Sequence, residues 1–104
     1  MKKYPVGNAH AYETLESSID AYTYVFADAL RKASVKNSIS DEQAKKIALQ
    51  LILGSAKLVS DSDSHPWELV DMVCSPAGTT IEGVASLLKD AFESKIIESF
   101  DSAI

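Results

Sequence analysis

Apolar residues recur along most of this chain at a spacing typical of α-helices. In the first long segment they occupy positions i, i+3, i+4, i+7, i+8 and i+11, which together form one face of a helix. These positions are Tyr22, Val25, Phe26, Ala29, Leu30 and Ala33. Residues 1–11 contain Pro5, Gly7 and Asn8 and lack this period. We therefore predict a disordered or poorly ordered tail over residues 1–11, followed by a helix that starts at Tyr12 and ends near the sequence KNS.

A second helix is predicted from its own start signal. Ser40 and Gln43 have the spacing of a capping box, in which each side chain bonds a free backbone amide of the first turn. The segment LQLILGSAKLV is apolar on more than one side, so this helix needs cover from several directions. Gly54 costs about 1 kcal/mol relative to alanine inside a helix. A closely approaching helix would account for it, and in so short a chain we expect a second copy to provide part of this cover.

Three shorter helices are predicted in the rest of the chain. They correspond to the sequences HPWELVDMV, TIEGVASLLKDAF and ESKIIESFDSAI. Pro66 fits the first turn of its helix, where its missing N–H is not needed, and His65 is interpreted as a structural residue at the helix start. The pattern thus predicts an all-α fold with five helical segments.

Composition narrows the class of protein further. The chain has 104 residues, of which 46% are hydrophobic and 24% are charged, and this size suits a single domain. A net charge of −5 disfavours binding to nucleic acids or anionic membranes, and no apolar run approaches the roughly 18 residues of a membrane helix. Cys74 is the single cysteine, which fits a reducing cytoplasm. The acidic sequence DSDSH lacks the glycine and distant glutamate of a calcium loop, so we expect no metal site.

The stretch CSPAGTTIEG between the third and fourth predicted helices is a candidate anion site. Ser75 precedes a proline, which disfavours a helical backbone, and Gly78 permits a positive φ or a close approach by a ligand. Thr79 and Glu82 have capping-box spacing, so we predict that a helix begins at Thr79. The amides of Gly78, Thr79 and Thr80 would then lie at a positive helix end suited to a small carboxylate. A plain connecting loop explains the same residues from local physics alone.

Several motifs resemble those of the pyrroline-5-carboxylate reductase family. The sequence DMVCSPAGTTIEG is similar to the family signature D-x-V-x-S-P-G-G-T-T-I-x-[GA]. The stretches AYTYVFADAL, LILGSAKL, HPWEL and FESKIIES resemble other segments of the family in the same order. The similarity is ungapped over about residues 20–103.

This resemblance implies a fold and a function. Residues 12–104 would form the family's dimerisation domain, an interlocked homodimer of the 6-phosphogluconate-dehydrogenase C-terminal-like type. The family reduces 1-pyrroline-5-carboxylate to L-proline with NADPH or NADH. The resemblance further implies that Ser75, Gly78 and Thr79 hold the substrate carboxylate. It also implies that Thr80 hydrogen-bonds the ring nitrogen.

Three departures from the family pattern change these expectations. No segment resembles the family's dinucleotide-binding Rossmann domain, so we expect this chain alone to bind no cofactor and to be inactive. Ile19 and Asp20 replace a Gly-Pro pair before the first family-like helix, which would stiffen and extend that helix, and Ala77 replaces the first glycine of the signature pair. The alternative interpretation is a non-enzymatic helical dimerisation or interaction module descended from the same domain.

Overall fold

The computed structural model describes residues 9–74 and 78–103, and every regular element in these ranges is an α-helix. The helices are α1 (Ala9–Lys36), α2 (Asp41–Asp61), α3 (Pro66–Val73), α4 (Thr79–Lys89) and α5 (Phe92–Ala103). The predicted all-α fold with five helices is confirmed. The chain divides into two compact units, the first ending at Asp61 and the second beginning at Ser62. The first unit holds α1 and α2, and the second holds α3, α4 and α5.

The start of α1 differs from the sequence-based boundary. The apolar period places the helix start at Tyr12 and the tail over residues 1–11, whereas residues 9–11 already belong to α1. Two of these three residues are alanines, the strongest helix formers, so the helix extends to them without an apolar stripe. The rest of the predicted tail, residues 1–8, lies outside the described residues. The helix also runs without interruption through Ile19 and Asp20, as expected for a segment without a Gly-Pro pair.

Backbone hydrogen bonds end α1 in a defined turn. Ser38 has a left-handed φ of 75°. Its N–H donates to the Val35 carbonyl at 3.0 Å, and the Ile39 N–H donates to the Ser34 carbonyl at 3.0 Å. This pair of bonds is the Schellman motif, which satisfies carbonyl groups of the last helical turn. The chain reverses here because of local hydrogen bonding and without a glycine.

The start of α2 follows two residues later and uses the predicted cap. The Gln43 N–H donates to Ser40 Oγ at 3.4 Å, and the Ala44 N–H donates to the Ser40 carbonyl at 2.8 Å. Asp41 and Glu42 place negative charge in the first turn, where the helix dipole favours it. The Ser40 half of the predicted capping box is therefore present.

Arg31 links the last part of α1 to the first residue of α2. Its guanidinium lies 2.9 Å from Asp28 and 2.9 Å from Asp41, and Lys32 lies 2.9 Å from the other oxygen of Asp28. Hydrogen bonds from Lys32 and then from Arg31 hold the pKa of the Asp28 carboxyl below its ordinary value. Hydrogen bonds to Asp41 and then to Asp28 raise the pKa of Arg31. All these groups are solvent-accessible, so the cluster sets the geometry of the turn more than it adds stability.

The first unit buries little apolar surface. Ala44 is the single buried residue among those described, at 3% exposure. An open groove of about 490 Å³ is lined by both helices, with Phe26 and Leu30 from α1 and Ile47 and Leu51 from α2 among its walls. The two helices contact each other, yet their larger apolar side chains remain accessible.

Replacement of Ser38 by glycine should stabilise the α1–α2 turn. A left-handed φ is unfavourable for a residue with a Cβ, whereas glycine adopts it readily. We expect Ser38→Gly to raise the free energy of unfolding by about 0.5–1 kcal/mol in urea titrations at a fixed protein concentration. The control is Ser38→Ala, which retains the Cβ and should give no gain. Equal stability of the two variants would contradict the role of this φ.

Candidate functional site

The helix that precedes the signature stretch begins with a histidine cap. His65 is the N-cap of α3, and its Nδ1 accepts a hydrogen bond from the Trp67 N–H at 3.1 Å. Its own N–H donates to Glu68 Oε1 at 3.3 Å, which completes a reciprocal pair. Pro66 occupies the first turn, as predicted. His65 therefore has the structural role that the sequence indicated, and it fixes the start of the helix that leads to the signature stretch.

The signature stretch itself lies between α3 and α4. α3 ends at Val73, and the Cys74 N–H donates to the Val70 carbonyl at 3.0 Å. Cys74 then adopts an extended conformation, with φ −99° and ψ 105°. The predicted site residue Ser75 and the departure at Ala77 both lie outside the described residues.

The three other predicted site residues are consecutive at the start of α4. Gly78 is the N-cap, with φ −81° and ψ 165°, and Thr79 and Thr80 are the first two helical residues. Gly78 is half-buried, whereas both threonines are exposed. The helix begins at Thr79 as predicted. Gly78 does not use the positive φ that glycine allows, so conformational strain does not explain why this position is a glycine.

The predicted capping box of Thr79 and Glu82 is wrong. No side chain caps the start of α4, because the extended residue at the N-cap position is Gly78, which has no side chain to offer. Thr79 is already helical, which places Glu82 one position beyond the capping-box partner. Glu82 still lies in the first turn, where its negative charge is favourable next to the helix dipole.

This geometry can hold a small anion by backbone donors. The first amides of a helix have no intrahelical acceptor, and at α4 no side-chain cap accepts a hydrogen bond from them. The positive end of the helix dipole adds to their attraction for a carboxylate. Glu82 acts in the opposite direction because it supplies a negative charge within the same turn.

The described residues offer no cradle for a dinucleotide or a metal ion. A Rossmann site needs a strand followed by a glycine-rich turn, and residues 9–74 and 78–103 contain helices and connections without a strand. Within the same ranges no three His, Cys, Asp or Glu side chains lie close enough together to hold a metal. Nor does any helix in this part of the chain combine the length and apolar character needed to cross a bilayer.

Residues 9–74 and 78–103 thus form helices with exposed apolar faces and one helix start without a side-chain cap. The family model of pyrroline-5-carboxylate reductase dimerisation matches residues 8–104. The chain therefore belongs to the pyrroline-5-carboxylate reductase dimerisation family.

Individual relatives agree with this assignment. The pyrroline-5-carboxylate reductase of Escherichia coli (strain K12) is 41% identical over 90 residues, which cover 86% of this chain and 34% of the relative. That of Aquifex aeolicus (strain VF5) is 42% identical over 88 residues, which cover 85% of this chain and 33% of the relative. The chain thus spans about a third of the length of the curated relatives it matches.

Solved structures show the same fold. A crystal structure of Plasmodium falciparum pyrroline carboxylate reductase with NADP bound superposes with a TM-score of 0.91 at 31% identity, covering 98% of this chain and 39% of that one. A structure of 1-pyrroline-5-carboxylate reductase from Streptococcus pyogenes gives 0.92 at 32% identity, with the same coverage. The all-helical fold is therefore the one seen in members of this family.

Removal of the histidine cap should destabilise α3. We expect His65→Ala to lower the free energy of unfolding by about 1 kcal/mol, because the Trp67 amide loses its acceptor. His65→Asn keeps a short side chain that can accept the same bond, so its stability should stay close to that of the unchanged protein. Thermal unfolding of the three proteins at one concentration measures the difference. If His65→Ala and His65→Asn lost equal stability, the hydrogen bond to the Trp67 amide would not be the stabilising contribution of His65.

Proposed function

We propose that this chain forms a homodimer and that the dimer holds the carboxylate of 1-pyrroline-5-carboxylate during its reduction to L-proline. The observation that carries the first part is the exposure of the apolar side chains. Only Ala44 is buried in the described part of the chain, whereas large apolar side chains on every helix are accessible. Association with a second copy is the means by which a dimerisation domain covers such surfaces.

Apolar side chains that stay in water do not contribute the stabilisation that burial would give. Full burial of a leucine, isoleucine or phenylalanine side chain contributes about 1.5–3 kcal/mol relative to leaving it in water. On α2, Leu51 is 64% exposed and Leu53 is 72% exposed. A chain of 104 residues has too small a margin of stability to leave most of its apolar residues in water. Folding of this domain is therefore coupled to its association.

Gly54 is consistent with the same proposal. A Cβ built at this position would meet nothing within 4 Å, so the surface of α2 is open there. A glycine inside a helix costs about 1 kcal/mol, and no neighbour within the described chain accounts for that cost. The close approach of a helix from a second copy would account for it.

Disruption of the apolar face of α2 should weaken the dimer. Leu51→Asp places a charge in the apolar groove lined by α1 and α2. We expect it to raise the dimer Kd at least roughly tenfold, because burying one leucine contributes about 1.5–3 kcal/mol. The matched control is Gln50→Asp, which adds the same charge at an exposed neighbour on another side of α2. Sedimentation equilibrium measures the dimer Kd of the two variants and of the protein without substitutions. The homodimer would be refuted if the protein without substitutions stayed monomeric at micromolar concentration with its helices intact.

The second part of the proposal concerns the start of α4. The amides of Gly78, Thr79 and Thr80 would bind the substrate carboxylate, Ser75 would add a hydroxyl, and Thr80 would hydrogen-bond the ring nitrogen. The support for this is the uncapped helix start together with membership of the family. The role of these residues is to fix the ring so that one face of its C=N bond is presented for reduction.

The cofactor of this reaction is NADPH or NADH, which supplies a hydride to the C=N carbon. The relative from Plasmodium falciparum has NADP bound. Because the described residues do not fit a dinucleotide, we assign no cofactor contact to them and propose that this part of the protein contributes association and substrate binding. A cytoplasmic location is part of the same proposal.

One observation favours the alternative of a non-enzymatic dimerisation module. α1 continues through Ile19 and Asp20, where the family pattern has a Gly-Pro pair, so the backbone there is a regular helix. The absence of this pair indicates that the chain does not need the backbone conformation that Gly-Pro imposes in the family. The two interpretations differ in whether α4 binds a ligand.

Titration with L-proline should distinguish them. In the isotope-labelled dimer we expect saturable shifts of the Gly78, Thr79 and Thr80 amide signals on addition of L-proline. L-Prolinamide, which lacks the carboxylate, should leave these signals in place. We expect Thr80→Val to weaken L-proline binding roughly tenfold, because a hydrogen bond to a charged group contributes about 1.5–3 kcal/mol. If neither L-proline nor L-prolinamide shifted these amide signals in a folded dimer, the result would support the non-enzymatic module.

A further inference from the structure

The third helix depends on the interactions at its ends, because it is short and little packed. α3 has 8 residues, and none of them is buried. Neither α4 nor α5 packs extensively against it in the part of the chain that the structure describes. Isolated helices of fewer than roughly 12 residues are marginal in water, because few internal hydrogen bonds offset the cost of starting the helix. The hydrogen bonds at the start of α3 therefore have a large effect on whether its first turn forms.

The cap at this helix start requires one protonation state of His65. Its Nδ1 accepts a hydrogen bond from the Trp67 N–H at 3.1 Å, so this nitrogen carries no proton in the capped helix. The proton of the neutral ring must then be on Nε2. An imidazolium has a proton on both ring nitrogens and can only donate. Uptake of a proton at Nδ1 therefore removes the acceptor for the Trp67 amide.

The cap of α2 lacks this dependence on protonation. There the acceptor is Ser40 Oγ, which receives the Gln43 N–H at 3.4 Å, and a serine hydroxyl keeps its lone pairs across the physiological pH range. Histidine is the side chain whose ordinary titration falls between about pH 5 and pH 8. The choice of His65 as a cap thus makes the start of α3 responsive to pH in a way that the start of α2 is not.

We propose that protonation of His65 opens the start of α3, so that this helix is a pH-sensitive element of the domain. At the upper end of the range in which histidine ordinarily titrates, about pH 5 to pH 8, the neutral ring caps the helix. As the pH falls through that range, the Trp67 amide loses its acceptor and a positive charge appears at the positive end of the helix dipole. The stabilisation by the cap is thus present at high pH and lost at low pH. Because α3 ends at Val73, the loosened helix is the one that leads into the signature stretch.

Acidic residues near His65 in sequence oppose the charge part of this effect but do not preserve the cap. Asp61 and Asp63 precede the histidine, and Glu68 lies in the first turn of α3. Their negative charges favour an imidazolium. Glu68 Oε1, however, accepts the His65 N–H at 3.3 Å, and turning this carboxylate toward the imidazolium would break that second bond of the cap. Attraction by these groups therefore makes protonation easier without restoring an acceptor for the Trp67 amide.

The test follows the Trp67 amide by NMR at one protein concentration, at about pH 8 and about pH 5.5. Its protection against hydrogen exchange is expressed relative to the intrinsic exchange rate at each pH. We expect this protection to fall roughly fivefold at the lower pH, which corresponds to the loss of one helix cap. Over the same interval, the nitrogen chemical shifts of the His65 ring should change from those of a ring protonated on Nε2 to those of an imidazolium. Because Trp67 is the single tryptophan, its fluorescence provides an independent measurement.

Two variants assign the pH response to the histidine ring, and both retain His10, the other histidine. His65→Asn keeps a short acceptor that does not titrate, so the protection of the Trp67 amide should change less than about twofold between the two pH values. Glu68→Gln keeps an oxygen that can accept the His65 N–H and removes the charge, so the roughly fivefold loss should persist.

Three results would overturn the proposal. The first is equal protection of the Trp67 amide at both pH values in the protein without substitutions. The second is a pH response of the same size in His65→Asn, which would place its origin elsewhere in the chain. The third is disappearance of the response in Glu68→Gln, which would assign it to the Glu68 carboxylate.

Discussion

The shortage of internal apolar burial is the constraint on which the rest of this structure depends. Each helix presents an apolar face, and Ala44 alone is buried among the described residues. Removing apolar surface from water is the main favourable contribution to folding, and a chain that cannot do so within itself must do so by association. The open groove in the first unit and the open space beside Gly54 follow from this shortage. Both fit the proposal that a second copy completes the packing of this domain.

Interactions between residues close in sequence determine the turn between α1 and α2. The turn after α1 is determined by its own backbone hydrogen bonds and by the left-handed Ser38, and Arg31 joins the two helices across it. These interactions involve residues close in sequence and do not depend on a core. These local interactions define the direction of the turn, and they do not replace the apolar burial that the hairpin lacks.

At the start of α4, the sequence predicted the helix boundary but not the residue that occupies the N-cap position. The boundary at Thr79 was predicted from the capping-box spacing of Thr79 and Glu82, and the helix does begin there although that capping box does not form. The identity of the cap was not predictable, since it depends on which residue takes the extended conformation as the chain enters the helix. Gly78 takes it, so the helix start has backbone donors without a side-chain acceptor. The same local competition explains why Ser40 and His65, which do have side chains to offer, cap their helices.

The sequence by itself determined the helices, most of their ends and the family, because helical periodicity, caps and motif spacing are properties of neighbouring residues. It also indicated that α2 needs cover from outside the chain. The tertiary structure decided which apolar residues stay exposed, since exposure depends on which faces of α1 and α2 meet and how far each helix extends. It placed Leu30 at the groove and left Ile19 accessible, although both belong to the same helix. That distinction arises from packing between elements distant in sequence, which no local pattern encodes.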